Sequence, residues 1–343
     1  YMSQSVMVYT EIRNGVIHPV SYELTSKAKE LADKLGSEVS IVAFCDTLQE
    51  KPEVFFSYGA DRVIIAKDHC FNLFNQEIHT KVLSAIILEE QPQIVLAPAT
   101  TGGRTVMPAV AGTIHTGLTA DCTGLDIEPD SGLLLQTRPA IGGNIMATIK
   151  TPHHQPQMAT VRPKTFKIVQ REASHGVIRP FAVSESMKQT SIEVLEWIPL
   201  DSGSVNIQDQ DVIIAGGKGL KRKEGFELLK ELAVLLQAGI GASRPTIEAK
   251  WMDYPHQVGL SGKVVSPKLY FAIGISGAVQ HIAGMETSEL IVSINKDPDA
   301  SIFQVSDYAF CGDLYDIVPK MVEIFSERLS DGTDETGSEK HVQ

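Results

Sequence analysis

The chain has 343 residues, of which 43% are hydrophobic, and its formal net charge is −12 at neutral pH. That length and apolar content predict two domains of ordinary size, each with its own core. The acidic balance argues against nucleic acid or an anionic membrane surface as a partner. No apolar run reaches the length of a membrane span, and no secretory signal is visible, so we expect a cytoplasmic protein.

The cysteines are scattered through the chain, at Cys45, Cys70, Cys122 and Cys311. They form no CxxC pair, and their spacing matches no metal or iron–sulfur site. We therefore expect buried free thiols in a reducing compartment and no bound metal. The adjacent His153 and His154 have no acidic or thiol ligand at a usable spacing, which predicts solvated loop residues.

The first part of the chain alternates strands with helices. Apolar runs predict strands over residues 6–12, 39–44, 62–66 and 94–98. Helical spacing predicts a helix over residues 24–35, which stops at Gly36, and another over roughly residues 71–89. Strand–helix alternation is typical of a mostly parallel sheet with helices on both faces.

A glycine-rich segment over residues 99–105 follows the last of these strands and leads into a helix. A loop of this kind can hold an anion at a helix N-terminus. The alternative is that Gly102 and Gly103 only form a turn and that Arg104 is a structural surface cation. The weakness of lone glycine motifs favours this alternative.

Short segments that alternate apolar with polar residues fill the region from 117 to 162, which favours an antiparallel excursion. Residues 184–210 are polar, and we interpret them as a crossing strand followed by a linker. The domain boundary is predicted near Asn206, with an N-terminal domain over residues 1–206. A second domain is predicted over residues 207–330. The remaining 331–343 have almost no apolar side chains and are expected to be a disordered tail.

The α/β pattern starts again after this boundary. A strand over residues 212–215 leads into the glycine loop 216–220, and helical spacing predicts a helix over residues 226–237. Strand, glycine loop and helix in this order are typical of a phosphate cradle. A last helix is predicted over residues 314–329.

Two further apolar runs, over residues 269–275 and 290–294, predict neighbouring buried strands. The first breaks at Gly274-Ile275-Ser276-Gly277, and the second ends in Asn295-Lys296-Asp297-Pro298. Parallel strands that end in this way describe the crevice at the carboxyl edge of an open sheet, where dinucleotides bind. On spacing alone, Gly-x-x-Gly after a strand is more often an ordinary tight turn.

The literal strings carry more information. Residues 274–285 read Gly-Ile-Ser-Gly-Ala-Val-Gln-His-Ile-Ala-Gly-Met, residues 294–298 read Ile-Asn-Lys-Asp-Pro, and residues 309–314 read Ala-Phe-Cys-Gly-Asp-Leu. Together they closely resemble the FAD-binding signature of electron transfer flavoprotein alpha subunits.

Three earlier strings resemble the first domain of the same family, so the resemblance covers most of the chain. They are Thr-Ala-Asp-Cys-Thr, Arg-Pro-Ala-Ile-Gly-Gly-Asn-Ile-Met-Ala-Thr and Pro-Gln-Met-Ala-Thr-Val-Arg-Pro. The form Gly-Gly-Asn-Ile-Met-Ala-Thr is more similar to anaerobic bacterial members than to mitochondrial ones.

The resemblance implies two α/β domains. The N-terminal one is a nucleotide-hydrolase-like parallel sheet that packs with a beta subunit, and the C-terminal one is a doubly wound FAD-binding domain. The sequence offers no Ser/His/Asp triad, no metal cluster and no obvious general base. That fits a carrier without catalytic residues, because the flavin supplies the chemistry and the protein tunes its potential.

The family's flavin contacts carry over to matching positions. The resemblance places Arg244, which follows Ser243, against the isoalloxazine ring, where it would stabilise the negative charge that accumulates on reduction. Ser261 matches a hydroxyl at flavin N5, and His281 matches a donor to the C2 carbonyl edge. Leu260 stands where many relatives have glutamine, so one polar contact near the ring is in doubt.

The remaining contacts concern the other parts of FAD. Lys218 replaces the arginine of the family's Gly-Gly-Arg-Gly, which fits a phosphate or ribityl contact better than a bidentate one. Ser276 and Gln280 match ribityl and pyrophosphate contacts, whereas Asn295 and Asp313 match contacts to the AMP half. Asp313 also precedes a helix, so an ordinary N-cap is its alternative role. The full set assigned to FAD is Lys218, Ser243, Arg244, Gln257, Val258, Gly259, Leu260, Ser261, Ser276, Gly277, Ala278, Val279, Gln280, His281, Asn295, Asp313 and Leu314.

The resemblance implies one half of a heterodimer that carries electrons on FAD to or from an acyl-CoA dehydrogenase. The anaerobe-like strings favour the electron-bifurcating branch, in which the beta subunit oxidises NADH and divides the electrons between ferredoxin and the dehydrogenase. The alternative is a one-electron shuttle to a membrane quinone reductase.

Two hypotheses come from other classes. The first is a nucleotide-binding regulator that has lost flavin redox. The second is a lone pyridine-nucleotide dehydrogenase, which the missing G-x-G-x-x-G motif with its acidic residue speaks against.

Overall fold

The structure is a computed structural model that describes residues 5–140, 145–172, 175–195 and 206–334. The chain divides into two compact units, residues 1–197 and 198–343. The domain boundary expected near Asn206 stays a prediction.

The N-terminal unit is built on a large parallel sheet. In chain order the strands of the whole unit are β1 (Ser5–Tyr9), β2 (Ile12–Arg13), β3 (Val16–Ile17), β4 (Glu38–Cys45), β5 (Arg62–Lys67), β6 (Ile94–Pro98), β7 (Leu118–Cys122), β8 (Gly124–Ile127), β9 (Leu134–Pro139), β10 (Met146–Ile149), β11 (Gln157–Val161) and β12 (Val177–Pro180). Its helices are α1 (Pro19–Leu35), α2 (Gln76–Glu90), α3 (Thr101–Thr113) and α4 (Glu185–Lys188). Within the described residues the large sheet has the order β12-β5-β4-β1-β6-β11-β7 with every pair parallel.

Helices cover both faces of this sheet. Leu24 and Leu31 of α1 belong to the core on one face. Leu83 of α2 and Val106 of α3 belong to the core on the other. Because the central strands are buried on both sides, they appear in the sequence as continuous apolar runs, and this explains why β4, β5 and β6 were predicted nearly to the residue.

The predicted antiparallel excursion is correct only in part. β8, β9 and β10 form an antiparallel sheet, but β7 and β11 join the large parallel sheet, where β11 lies between β6 and β7. Short alternating segments do not show which strand will be the partner of another. The position of β11 between β6 and β7 could therefore not be predicted from the sequence. The described part of residues 184–210 holds α4 and no strand, and the edge strand β12 comes just before it.

Capping residues move several predicted boundaries. The helix expected from residue 24 begins at Pro19, because His18 caps it and proline fits the first helical turn. The helix expected from residue 71 begins at Gln76, where the side chain of Asn75 accepts a hydrogen bond from the backbone of Ile78. The strand expected over residues 6–12 is two strands, β1 and β2.

The predicted glycine loop over residues 99–105 is largely helix. Gly102 and Gly103 lie in the first turn of α3, so the expected turn is wrong. A Cβ on Gly103 would lie 1.8 Å from the carbonyl oxygen of Pro98, so close backbone packing requires glycine there. Arg104 forms a 3.0 Å ion pair with Asp121, as the structural-cation alternative predicts.

The second unit contains a smaller parallel sheet. Its strands are β13 (Val212–Gly216), β14 (Gly239–Ala242), β15 (Leu269–Ile273), β16 (Leu290–Asn295) and β17 (Tyr308–Cys311). Its helices are α5 (Gly225–Leu235), α6 (Arg244–Glu248), α7 (Val279–Ile282) and α8 (Leu314–Asp334). The strand order among described residues is β14-β13-β15-β16-β17, all parallel. β13 comes first in the chain but second in the sheet, so the order reverses between β13 and β15, as in doubly wound folds.

The two faces of this sheet are covered differently. Phe226 and Leu229 of α5 and Val318 of α8 belong to the core on one face. The core on the other contains Tyr270 of β15 and Met285, which follows α7. α8 extends to Asp334, so the expected tail is helical over residues 331–334, and residues 335–343 lie outside the described part of the chain.

The cysteine prediction is correct for two of the four residues. All four are free thiols, and Cys45 and Cys122 are buried. Cys70 is partly buried and Cys311 is exposed, because Cys311 lies in β17 at the outer edge of its sheet.

The paired histidines, His153 and His154, are both exposed, as predicted.

Candidate functional site

A cavity of about 520 Å³ opens in the second unit. Its wall includes residues just beyond the ends of four of the parallel strands: Lys218 after β13, Gly274 after β15, Lys296 after β16 and Gly312 after β17. The cavity therefore lies at the carboxyl edge of the sheet and includes its switch point, the usual place for a ligand in an open α/β sheet.

Most of the predicted site residues come together around this cavity. Those that line it are Lys218, Ser243, Arg244, Val258, Gly259, Ser261, Ser276, Ala278, Gln280, His281, Asn295, Asp313 and Leu314. Among the described residues, Gln257, Leu260, Gly277 and Val279 were also predicted but do not belong to its lining. Gln257 is buried, whereas Leu260 and Val279 are more than half exposed.

Sequence reasoning missed several lining residues. They are Gly219, Lys221, Pro245, Gly274, Ile275, Lys296, Asp297 and Gly312. All of them lie within three residues of a predicted position. The run of basic residues that begins at Lys221 is the one feature of the sequence that could have identified one of these missed residues without the family resemblance.

Two glycines shape the loop after β15. Gly274 and Gly277 have positive φ values of 64° and 88°. A Cβ on Gly277 would lie 2.3 Å from the backbone nitrogen of Ile302, so no side chain fits there. Within the described part of the chain, the backbone N–H groups of residues 276–278 donate to no other protein group. Successive unpaired N–H groups in a turn form a concave site that suits an anion such as a phosphate.

Basic side chains lie at the cavity wall. Lys218 places its ammonium 4.1 Å from the ring centroid of Trp251, a cation–π contact that holds the lysine in place. The Nε of Arg244 lies 2.7 Å from the carboxylate of Glu248, and both side chains are largely exposed. An exposed pair of this kind is worth little in stability. Among the described residues the terminal amino groups of Arg244 have no hydrogen-bond partner, which suits contact with a ligand.

The hydroxyl of Ser261 is oriented by the protein. Gln257 donates from Nε2 to Ser261 Oγ over 2.9 Å, and the phenol of Tyr254 donates to the Ser261 carbonyl over 2.8 Å. The serine oxygen already accepts a hydrogen bond, so its own proton is available to an acceptor in the cavity.

His281 is almost fully buried, and both of its ring nitrogens have partners. Nδ1 lies 3.1 Å from the carbonyl oxygen of Val258, and Nε2 lies 3.0 Å from the hydroxyl of Tyr270. Burial lowers the pKa of His281 to about 4, so the imidazole is neutral at pH 7.

Asn295 and Asp313 have structural roles in addition to lining the cavity. Asn295 donates from Nδ2 to the carbonyl of Ile275 over 2.8 Å, and its Oδ1 accepts from the backbone of Asp297. The carboxylate of Asp313 accepts from the backbone N–H of Tyr315 over 3.0 Å, in the first turn of α8. The predicted N-cap role of Asp313 is therefore confirmed.

Two other kinds of site can be tested in the part of the chain that the structure describes. It contains no group of three or more His, Cys, Asp or Glu side chains arranged to hold a metal ion. None of its helices is both long and apolar enough to span a membrane.

A doubly wound sheet with a glycine-lined cavity at its switch point defines a nucleotide-cofactor-binding α/β protein. The family model described as "Electron transfer flavoprotein domain" matches residues 6–193, and the one described as "Electron transfer flavoprotein FAD-binding domain" matches residues 206–286. The chain belongs to the electron transfer flavoprotein alpha-subunit family, and its cofactor is FAD.

Individual relatives are similar in sequence to this chain over nearly its whole length. The chain is 41% identical to the electron transfer flavoprotein subunit alpha of Thermoanaerobacterium thermosaccharolyticum, over 93% of this chain and 97% of that protein. It is 39% identical to the protein FixB of Clostridium saccharobutylicum, over 95% of this chain and 98% of that protein. It is also 39% identical to the LctC subunit of a lactate dehydrogenase (NAD(+),ferredoxin) of Acetobacterium woodii, over 93% of this chain and 76% of that protein.

The residues present fit FAD. The cavity volume lies within the range of about 300–1,000 Å³ that cofactor sites occupy. The unpaired N–H groups of residues 276–278 suit a pyrophosphate, and Lys218 and Lys221 supply positive charge in the lining of the same cavity. Ser261 offers a hydroxyl proton for a ring nitrogen.

Proposed function

We propose that this chain carries electrons on FAD to or from an acyl-CoA dehydrogenase, as the alpha subunit of a heterodimer with a beta subunit. We further propose that it works in an NADH-oxidising, ferredoxin-reducing bifurcating system. The observation that carries the proposal is the cavity itself. It combines cations, an oriented hydroxyl and a neutral histidine. Such a site suits a carrier, because bound FAD supplies the electron-transfer chemistry.

The phosphate and sugar contacts form one part of the proposed site. Ser276 and Gln280, with the backbone N–H groups of residues 277–279, would hold the ribityl chain and the pyrophosphate. Lys218 would contact a phosphate or the ribityl chain as a point charge. Asn295 and Asp313 would contact the AMP half. Their structural hydrogen bonds leave Asn295 a second acceptor lone pair on its amide oxygen and leave Asp313 its second carboxylate oxygen.

The ring contacts form the other part. Arg244, next to Ser243, would place its guanidinium against the isoalloxazine ring, where positive charge favours the reduced, electron-rich ring. Ser261 would donate its oriented proton to N5. His281 would border the ring edge. The backbone and side chains from Gln257 to Leu260, with Leu314, would complete the surroundings.

Bifurcation is the finer part of the proposal. It draws support from LctC, whose name places that relative in a dehydrogenase that uses NAD(+) and ferredoxin. In this scheme NADH and ferredoxin react through the beta subunit, and this chain passes electrons to the dehydrogenase. The competing scheme is a one-electron shuttle from dehydrogenases to a membrane quinone reductase.

The test is to count FAD in the co-purified alpha–beta heterodimer and to follow its visible spectrum during stepwise addition of NADH. Two FAD per heterodimer, one of them reduced directly by NADH, would support the bifurcating scheme. One FAD that does not respond to NADH would overturn that scheme and favour the shuttle. A heterodimer that binds no FAD after reconstitution would contradict the assignment of the site residues.

A further inference from the structure

A tryptophan outside the cavity lining contacts a cation that belongs to it. The ammonium of Lys218 lies 4.1 Å from the ring centroid of Trp251, and Lys218 lines the cavity whereas Trp251 does not. Among the described residues this ammonium forms no ion pair and no hydrogen bond, so the aromatic face is what holds it. An ammonium has three N–H donors, and those that point away from the ring are available to a ligand.

The loop that carries Lys218 has a fixed backbone. The N–H of Gly219 donates to the carbonyl of Gly274 over 2.9 Å, and a Cβ on Gly219 would lie 2.6 Å from the Cα of Gly274. On the other side, the phenol of Tyr315 donates to the carbonyl of Leu220 over 2.6 Å. The freedom that remains at this point of the wall therefore lies in the flexible four-carbon side chain of Lys218.

The ring of Trp251 is held by a compact turn. Its backbone N–H donates to the carbonyl of Thr246 over 2.9 Å, and its side chain packs against the core of the second unit. Thr246 is fully buried, and its hydroxyl donates to the carbonyl of Ser243 over 2.7 Å. Arg244 begins the same helix, α6, and lines the cavity. One turn thus carries both the ring that contacts Lys218 and a second cation of the wall.

We propose that Trp251 is a positioning residue of the FAD site, which holds the ammonium of Lys218 at the cavity before the cofactor binds. Trp251 acts through Lys218 and need not touch the cofactor. This inference rests on the proposed function, because it concerns the contact between Lys218 and the phosphate or ribityl part of FAD. It also means that Lys218 and Arg244, which come from different loops, are placed by the same turn.

The expected effect follows from the freedom of the lysine. Without an aromatic face at position 251, the side chain of Lys218 can adopt other rotamers, and FAD must then order it on binding. The cost of ordering one long side chain corresponds to about a two- to tenfold increase in the dissociation constant. The same substitution should have no such effect once the ammonium is absent.

The experiment is titration of FAD into the deflavinated alpha–beta heterodimer carrying Trp251→Phe or Trp251→Leu. Both substitutions replace the indole by a smaller apolar side chain, but only phenylalanine keeps a ring face. We expect the dissociation constant of Trp251→Leu to exceed that of Trp251→Phe by about two- to tenfold. Equal constants would overturn the inference.

The same two substitutions are then compared in the Lys218→Met protein, where they should give equal dissociation constants. A difference that persists without the ammonium would show that the ring acts only by packing, and would overturn the inference. This comparison separates the cation–π contact from a merely structural role, because the loss of packing is the same in both backgrounds.

Phe166→Leu is the matched control. The ammonium of Lys27 lies 4.8 Å from the ring centroid of Phe166, so this substitution removes a contact of the same kind in the other compact unit. It should leave the dissociation constant of FAD unchanged. An increase equal to that of Trp251→Leu would show a general effect of losing such a contact and would contradict the inference.

A spectrum of the wild-type heterodimer tests the contact without any Trp251 variant. With ¹³C-labelled lysine, the Cε–H signal of Lys218 is identified by its loss in Lys218→Met, and the indole ring should shift it upfield. A signal at the ordinary lysine position would overturn the inference even if the Trp251 variants failed to fold. Absence of FAD from the reconstituted wild type would instead contradict the proposed function, so the two failures are distinct.

Discussion

Gln257 donates a hydrogen bond from its side-chain amide to the hydroxyl oxygen of Ser261 over 2.9 Å. Gln257 is 4% exposed and does not belong to the described cavity lining, whereas Ser261 does. The resemblance assigned both residues to FAD as direct contacts. Those contacts stay predictions, and in this geometry Gln257 also orients the hydroxyl of Ser261.

Substitutions of Gln257 and Ser261 should each weaken FAD binding, and their effects should not add up in the double variant. We expect Ser261→Ala and Gln257→Leu each to raise the dissociation constant of FAD by about two- to tenfold, since each removes one neutral hydrogen bond from the site. The double variant should be little worse than Ser261→Ala alone, because Gln257 acts through the hydroxyl. Titration of FAD into the deflavinated heterodimer measures this, and additive losses would contradict it.

Arg244→Ala should lower the midpoint potential of the bound FAD, because the reduced cofactor loses a nearby positive charge. Binding of reduced FAD should weaken about tenfold more than binding of oxidised FAD, in line with the value of a charged hydrogen bond. Redox titration of the heterodimer measures the shift.

The control for this prediction is Glu248→Gln, which removes the ion pair at 2.7 Å but keeps the guanidinium. Because that pair is exposed, its loss should have little effect on stability or potential. An equal shift in both variants would show that the arginine acts through Glu248 and not on the cofactor.

Gly277→Ala should destabilise the second unit by about 1–3 kcal/mol. The residue has a φ of 88°, and a Cβ would lie 2.3 Å from the backbone nitrogen of Ile302, so the loop after β15 would have to move. Urea denaturation followed by tryptophan fluorescence measures the change.

Gly112→Ala is the comparison for this substitution. Gly112 lies inside α3, and nothing lies within 4 Å of a Cβ built there. Alanine should therefore stabilise the protein by up to about 1 kcal/mol. Equal effects of the two substitutions would show that the positive φ and the close approach at Gly277 do not matter.

The stability of the N-terminal unit should fall in mild acid because of His79. This side chain is buried, its Nδ1 lies 2.8 Å from the carbonyl of Asn75, and burial lowers its pKa from 6.5 to about 4. Above pH 6.5 the imidazole is neutral in both the folded and the unfolded protein. Between pH 6.5 and 4 only the unfolded protein takes up the proton, so up to about 3 kcal/mol of stability is lost.

His79→Phe tests this dependence, because phenylalanine suits the rings of Phe44, Phe71 and Phe74 that surround the site. The free energy of unfolding of the variant should fall less steeply between pH 6.5 and 4 than that of the wild type, by about one bound proton. Parallel slopes for the two proteins would show that another group is responsible.

Much of the fold could be predicted because burial leaves a direct mark on the sequence. β4, β5, β6, β13, β15 and β16 each contain a run of mainly apolar residues, since both faces of a parallel sheet are covered. β14 and β17 escaped prediction. β14 is a short stretch of glycine, isoleucine and alanine, and β17 is an exposed edge strand, so neither shows a buried apolar run.

For the site, the sequence by itself determined the family and the cofactor, and it predicted most of the loops that line the cavity, because these depend on strings of residues that lie together in the chain. Only the tertiary structure decided how the side chains share their hydrogen bonds. The Gln257 amide donates to Ser261, and His281 is paired with Tyr270, which lies in a different element of the unit. The direction of a proton depends on which donors and acceptors meet in space, and the order of residues along the chain does not record those meetings.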